Sequence, residues 1–578
     1  MKPLSPALRR RVGLLLLALG TAGVVVGVVE ARWGAATFNL HPIGWWTPWV
    51  TGIASALWLG GHLWERRTGR RLQTVTALIC GLALAAVLLH AARPLHKAAT
   101  GQSVRAWNVF HYYVGSKYFA ELGYTDLYMA TLAADDAFRA TLPAGKSGGK
   151  TARDDGFGFI RHARDQVTGA VLPRAKLMEH WDPGVLPPGK LEALGADTRF
   201  LRPYLKASGW QHVLKDLGYN PAPPWTLIGT PLSNVVPARW PWFGIITNLD
   251  LLLFVLTGLL LWWAAGTRVT AAAVLWTVTF EPNFDRFAGG FLQYDWFAST
   301  LIAGALLWRG RSAAAGVALS WGAMTRVFPG FLVLPFFLAA AKALGRREPI
   351  PRSTRRFLVA FTLACAVLFV GSHGTGRGLS TWPDWVEKIG RHSEEHAITS
   401  NRRMGVGRLA QHLPSGAAHW AERTGTGPER LAAAAPVKHA LQLLGLLLLL
   451  PALWHRDERE GFALAHFLVV IGVVLSRYYA TTWALLFLLA VPLRGPPERT
   501  PTAGIVAGAG LLLLAAVARA PGEHTGNYFL MNWLIYLLFA GLCVGYLISD
   551  LRAGRFRRGQ KGAGNPSARA AQGSATSS

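Results

Sequence analysis

Residues 75–92 read "VTALICGLALAAVLLHAA", and residues 110–128 read "FHYYVGSKYFAELGYTDLY". The first is a run with no charged residue, close to the roughly 20 residues that cross a bilayer as a helix. The second holds five of the thirteen tyrosines, with His111, Lys117, Glu121 and Asp126 among them. Together they set the architecture: an apolar span, then aromatic and ionisable residues where the chain leaves it. Tyr is enriched at that level of a membrane because its ring is apolar and its hydroxyl is wet.

The whole chain repeats this logic. Of 578 residues 51% are hydrophobic and 16% charged, against about a quarter charged in soluble domains; the mean hydropathy is +0.27. Apolar runs at 12–30, 44–63, 74–92, 243–265, 268–281, 292–308, 313–326, 328–344, 356–372, 437–454, 461–476, 479–493, 503–519 and 528–549 predict an all-α polytopic membrane protein of about 12–14 transmembrane helices. The first run, 12–29, is too long for a signal-peptide core and has no A-x-A site after it, so it reads as a retained helix. Runs 268–281, 313–326 and 328–344 are short and read as re-entrant or broken helices, which require cover from protein or a water-filled cavity.

The net charge of +28 lies largely in short arginine-rich connectors, "ALRRR", "ERRTGRR", "GRREPIPRSTRR" and the tail "RAGRFRRGQK". That is the signature of cytoplasmic loops rather than of nucleic-acid binding. With the N-terminus inside, fourteen spans return the C-terminus to the inside. The domains are then 1–92, N-terminal helices; 93–242, an outer loop subdomain with an interfacial helix; 243–372, central helices; 373–436, a second outer loop; 437–549, C-terminal helices; and 550–578, a disordered basic cytoplasmic tail. The three cysteines, Cys80, Cys365 and Cys543, lie scattered in apolar segments and define neither a disulfide framework nor a metal site.

Read as a helix, the tyrosine-rich stretch puts Asn108, His111, Tyr112, Gly115, Tyr118, Phe119 and Leu122 on one face and Lys117, Glu121 and Tyr124 on another. It predicts an amphipathic helix along the outer surface, ended at Gly123. No phosphate-binding glycine loop, H-E-x-x-H, paired CxxC or outer D-x-D is present. Arg326 lies near the outer end of a short span, where an ionisable residue reads as a functional candidate.

"NVFHYYVGSKYFAELGYTDLY" (108–128) resembles the first outer-loop motif of bacterial glycosyltransferase family 87, which runs approximately D-F-x-x-Y-Y-x-A, a Gly, then a Tyr. "FLQYDWFASTLIAGALLWRGR" (291–311) is similar to that family's G-Q-x-[ND] helix, with Gln293 and Asp295 in register and Leu292 where Gly is usual. "GVALSWGAMTRVFPGFLVLPFFLA" (316–339) resembles its K-x-x-P segment, with Arg326 in the Lys position and Pro329 after it. "WPDWVEKIGRHSEEHAITSNRRMGVGRL" (382–409) is like its second outer loop, which ends in an Asn followed by Gly.

The resemblance implies a GT-C-type multi-pass membrane glycosyltransferase in a bacterial inner membrane; the basic connectors predict that both termini are cytoplasmic. It would move a sugar, mannose in that family, from a polyprenyl-phosphate donor to an outer-face glycan or lipid acceptor. No cofactor, metal or nucleic acid is expected; membrane lipids are partners, and the oligomeric state is open. The donor phosphate would be held by Arg326, with Arg286 and Arg403 as further candidates. Tyr112, Tyr113, Lys117, Asp285, Gln293, Asp295, His396 and Asn401 would line the substrate cavity.

One departure bears on catalysis. Asn108 stands where the family has Asp, the expected general base, and an amide has no usable basicity. Glu121 and Asp126 are the nearest substitutes, then Asp285 and Asp295; His111, whose ordinary pKa is near 6.5, could also serve. The competing readings are a transporter or flippase of a lipid-linked sugar, and an inactive scaffold that kept the fold and lost the base.

Overall fold

The computed structural model describes residues 6–33, 43–99, 104–142, 156–280, 288–399, 403–412, 427–473, 475–493, 501–518 and 524–555. The described residues are mostly helical, with almost no strand. Two short antiparallel pairs interrupt them: His162–Arg164 with Val171–Pro173, and Arg403–Met404 with Leu475–Ser476. The protein is an all-α polytopic membrane protein.

Among the described residues, seven helical stretches are long and apolar enough to cross a membrane: Arg10–Val28, Gln73–His90, Trp242–Ala265, Phe328–Gly345, Arg352–Thr375, Ala432–Trp454 and Phe529–Arg552. Three shorter apolar helices accompany them, Asp295–Trp308, Tyr478–Ala490 and Thr502–Ala518. The fourteen runs read from hydropathy are thus not fourteen continuous spans. Run 461–476 is divided into helices Glu458–Leu464 and His466–Gly472, and run 479–493 becomes a fourteen-residue 3₁₀ helix, Arg477–Ala490. A 3₁₀ helix rises about 2.0 Å per residue, so fourteen residues reach roughly 28 Å, close to a hydrocarbon core. So long a 3₁₀ run is uncommon, and packing sustains it: Ala480, Leu485, Leu486, Phe487 and Leu488 are fully buried.

Two of the three short runs expected to be re-entrant or broken are continuous, Thr267–Thr279 and Ser312–Arg326. The third opens with a 3₁₀ turn, Phe328–Val333, before the helix Leu334–Gly345.

Apolar side chains form two cores. One fills the bundle and includes Trp58, Trp276, Trp296, Phe336, Trp483 and Phe539. The other fills a loop subdomain and includes Phe110, Tyr113, Phe119, Tyr128, Trp210 and Trp225. The turn at 289–295 stitches them together. Phe291 and Leu292 belong to the subdomain core, Tyr294 and Trp296 to the bundle core.

The expected interfacial helix is corrected. Residues 106–122 form a chain of short pieces: Ala106–Val109, a π-helical turn Phe110–Val114, Gly115–Lys117 and Phe119–Leu122. Phe110, Tyr113, Val114 and Phe119 are fully buried. The π turn and the break at Tyr118 rotate successive side chains away from 3.6-residue spacing, so no single wet face survives. The segment is core of the subdomain rather than a helix floating at a surface.

Candidate functional site

The helix Leu249–Ala265 begins where the subdomain meets the bundle, and its first turn carries Asp250, which is fully buried. The Asp250 carboxylate accepts the backbone N–H groups of Gln293 and Tyr294, each at 3.0 Å. Arg105 donates from Nη1 to Gln293 Oε1 at 2.7 Å and from its backbone N–H to Gly289 O at 2.8 Å. The backbone N–H of Phe291 donates to Asn108 Oδ1 at 2.9 Å. Gly290 lies under this convergence. A Cβ there would come within 3.1 Å of Asn108 Oδ1, close enough that the amide would have to give by a few tenths of an ångström, and would touch Asp250 Oδ2 at 3.6 Å.

Asn108 therefore acts as an acceptor that pins the turn. Its neutrality has a physical rationale: a carboxylate at 108 would stand beside the buried Asp250, and like charges in a desolvated site repel.

Past the pinned turn, Asp295 opens the helix Asp295–Trp308. Its Oδ2 accepts from Trp321 Nε1 at 2.7 Å. Arg326 ends the helix Ser312–Arg326, and its charge reaches Asp295. Arg326 donates from Nη2 to the Tyr112 hydroxyl and lies over the Tyr112 ring, 5.7 Å from its centroid. Tyr112 meets Trp225 edge-on, with centroids 5.1 Å apart. Tyr478 and Tyr479, 4.4 Å apart, pack against Trp296 and complete the aromatic surround. Arg326 and Tyr112 are only half-buried, so the cation is screened by rings yet reachable.

The backbone on each side is strained. Among the described residues three non-glycines have positive φ: Leu292 at 47°, Val327 at 60° and Arg347 at 56°. The first two flank Gln293–Asp295 and Arg326. Left-handed backbone is costly for a branched side chain, and such strain collects at functional sites.

Other residues singled out in the sequence lie in different settings. His111 is buried, pairs through Nε2 with the Tyr128 hydroxyl at 2.8 Å, and is kept neutral because burial pushes its pKa down. Tyr113 donates its hydroxyl to Val236 O at 2.6 Å. Lys117 forms an ion pair with Asp197 at 2.6 Å. Glu121 is paired with Lys190. Asp126 accepts from the Thr125 hydroxyl at 3.0 Å, and burial pushes its carboxyl up while the charge of Arg377 pulls it down. Neither Glu121 nor Asp126 shares a contact with Arg326, Tyr112 or Asp295. Asp285, Arg286 and Asn401 lie outside the described residues, as do the side chains of His396 and Arg403. The Arg403 backbone pairs with Ser476, two residues before Tyr478.

Sequence reasoning passed over Asp250, Arg105 and the Tyr478–Tyr479 pair. Asp250 carried a usable signal, since it is a lone carboxylate at the head of the run "LLLFVLTGLLLWW". Arg105 and Tyr478 carried none, because their roles depend on neighbours nearly two hundred positions away.

The fold and this centre define a class: a polytopic helical membrane protein with a tyrosine-bound cation and a buried carboxylate where a loop subdomain caps the bundle. Within the chain, residues 222–477 match the model of glycosyltransferase family 87. This is the family that the motifs resemble, and the matched stretch contains Asp250, Gln293, Asp295 and Arg326 but not Asn108 or Tyr112. The match supports glycosyltransferase activity at the general level, with a sugar donor and an acceptor. Comparison with curated proteins found no match, and comparison with solved structures found none either.

Proposed function

We propose that the protein transfers a sugar, mannose in the first instance, from a polyprenyl-phosphate donor to a glycan or lipid acceptor at the outer face of a bacterial inner membrane. The observation that carries this reading is Arg326, held by Tyr112 at the junction of the subdomain and the bundle, with its charge acting on Asp295. In the reaction, the acceptor oxygen attacks the anomeric carbon and the bond from that carbon to the phosphate oxygen breaks. The acceptor proton goes to a carboxylate, and the charge left on the polyprenyl phosphate goes to a fixed cation. Arg326 suits the second role, because a preorganised cation among aromatic rings stabilises developing negative charge more than water does. Asp295 is our candidate for the first, as the described carboxylate on which Arg326 acts.

Asp250, Asn108 and Arg105 are positioning residues that fix the turn carrying Gln293 and Asp295. The donor tail would lie between helices, and the acceptor would enter from the subdomain side. The basic connectors place both termini on the cytoplasmic side in this reading. The test is transfer from a panel of polyprenyl-phosphate sugars by the purified protein. Product formed by the parent and lost in Arg326→Ala supports the reading; no transfer from any donor overturns it.

A further inference from the structure

A charged cavity lies at the other end of the helix that begins beside the Arg326 centre. Asp250 and Ala265 mark the two ends of one helix, fifteen residues and roughly 22 Å apart. Beyond Ala265 the chain turns at Gly266 into the helix Thr267–Thr279, and a cavity of about 570 Å³ opens there.

Its floor is rigid and polar. Arg268 grips Glu65 through both terminal nitrogens, at 2.9 and 2.7 Å, and also donates to Leu72 O at 2.6 Å and to the Thr76 hydroxyl at 2.8 Å. That pair is neutral overall. Arg11 and Arg71 also line the cavity and leave it net positive. The N-terminus of the helix Thr267–Thr279 and the C-terminus of the helix Leu249–Ala265 both line it, so their partial charges offset and the positive balance comes from the two arginines.

One wall is apolar and belongs to a peripheral helix. Leu14, Leu15 and Ala18 come from Pro6–Trp33, whose Arg10–Val28 window is only 6% buried. That helix is held close to the bundle at Gly81, where a Cβ would come 2.7 Å from Ala18 O. The cavity thus joins cations at a helix end to an apolar wall on a bilayer-facing helix. A free inorganic anion would use only the first; a phosphodiester with acyl chains would use both.

We propose that this cavity binds an anionic phospholipid, its phosphate between Arg11 and Arg71 and an acyl chain along Leu14, Leu15 and Ala18, on the membrane face opposite the Arg326 centre. Native mass spectrometry of the full-length protein in detergent tests it, with dioleoyl-phosphatidylglycerol and dioleoyl-phosphatidylcholine as probes. The expected result is one phosphatidylglycerol retained about tenfold better than phosphatidylcholine. Arg11→Gln with Arg71→Gln, both exposed positions, should reduce retention to the phosphatidylcholine level. Leu15→Trp, which crowds the apolar wall and leaves the charges, should also lower it. Equal retention of the two lipids, or parent-like retention by the double variant, overturns the proposal. Displacement of the lipid by millimolar inorganic phosphate also overturns it, because the ligand would then be a free anion.

Discussion

Arg326 donates a hydrogen bond to the hydroxyl of Tyr112, a residue 214 positions earlier in the chain. That bond joins the tyrosine-rich segment of the loop subdomain to the end of a bundle helix, and it holds the cation in place. A hydrogen bond to a charged group contributes about 1.5–3 kcal/mol. Tyr112→Phe should therefore slow transfer by on the order of tenfold or more. Donor titrations should show a raised KM. An unchanged KM and kcat would show that Arg326 holds its position without Tyr112.

Arg326→Ala should weaken donor binding by on the order of 2–4 kcal/mol, the range for losing one partner of a desolvated charge pair. Arg326→Lys should recover part of the loss, because the charge remains while the planar fork is lost. Equilibrium binding of a labelled polyprenyl-phosphate sugar reads both. If Arg326→Ala binds the donor like the parent, the phosphate sits elsewhere.

Asp295→Asn should abolish turnover and leave donor binding nearly intact, since proton removal matters only in the transition state. Glu121→Gln and Asp126→Asn should keep turnover, because their neighbours are Lys190, Thr125 and Arg377 rather than the Arg326 centre. Asn108→Asp should lower stability, since it adds a carboxylate beside Asp250. Rate assays and melting curves on the four variants decide this. An inactive Asp126→Asn with an active Asp295→Asn would reverse the assignment.

Leu292 has a φ of 47° in a position where left-handed backbone suits Gly. Its side chain is buried, so truncation costs packing, but the backbone penalty of roughly 1–2 kcal/mol applies to Ala as much as to Leu. Leu292→Gly should therefore melt higher than Leu292→Ala, although it removes one more carbon. The reverse order would mean that the turn is not strained.

Lys388, on the helix Thr381–Thr399, is buried and donates to Gln166 of the loop subdomain. Burial, reinforced by the charges of Arg391 and Arg164, pushes its pKa down to about 7, against the opposing pull of Asp216 and Asp165. In the unfolded chain it keeps its proton to about pH 10.4. Between those values the unfolded state binds more protons, so stability should rise as pH rises from 7 toward 10. Lys388→Met should flatten that slope in thermal melts taken across the window. A parent and variant with equal slopes would contradict it.

The proposed orientation rests on the basic connectors alone. Gly145→Cys and Gln560→Cys, made in a chain lacking Cys80, Cys365 and Cys543, should label from opposite sides of the membrane. Labelling from one side would overturn the topology.

The sequence made one part of the site legible and hid another. Arg326 stood out because an ionisable residue is conspicuous at the end of an apolar run, and Gln293 and Asp295 stood out through the family motif they match. Asp250 was equally conspicuous and was passed over, its partners being backbone N–H groups that leave no mark in a sequence. The helical face drawn through Asn108, His111 and Tyr112 assumed 3.6 residues per turn, and the π turn Phe110–Val114 breaks that spacing. The three residues accordingly face three settings: the 289–293 turn, the subdomain core and Arg326. Hydropathy located the apolar segments, but it carries no information on hydrogen-bond pattern, so the 3₁₀ run Arg477–Ala490 read as an ordinary span.

The most direct measurement is sugar transfer by the purified full-length protein from a panel of polyprenyl-phosphate donors, run in parallel with Arg326→Ala. The account predicts a glycosylated acceptor from at least one donor, mannose first among them, and its loss in the variant. Absence of transfer from every donor, or transfer by Arg326→Ala at the parent rate, would contradict it.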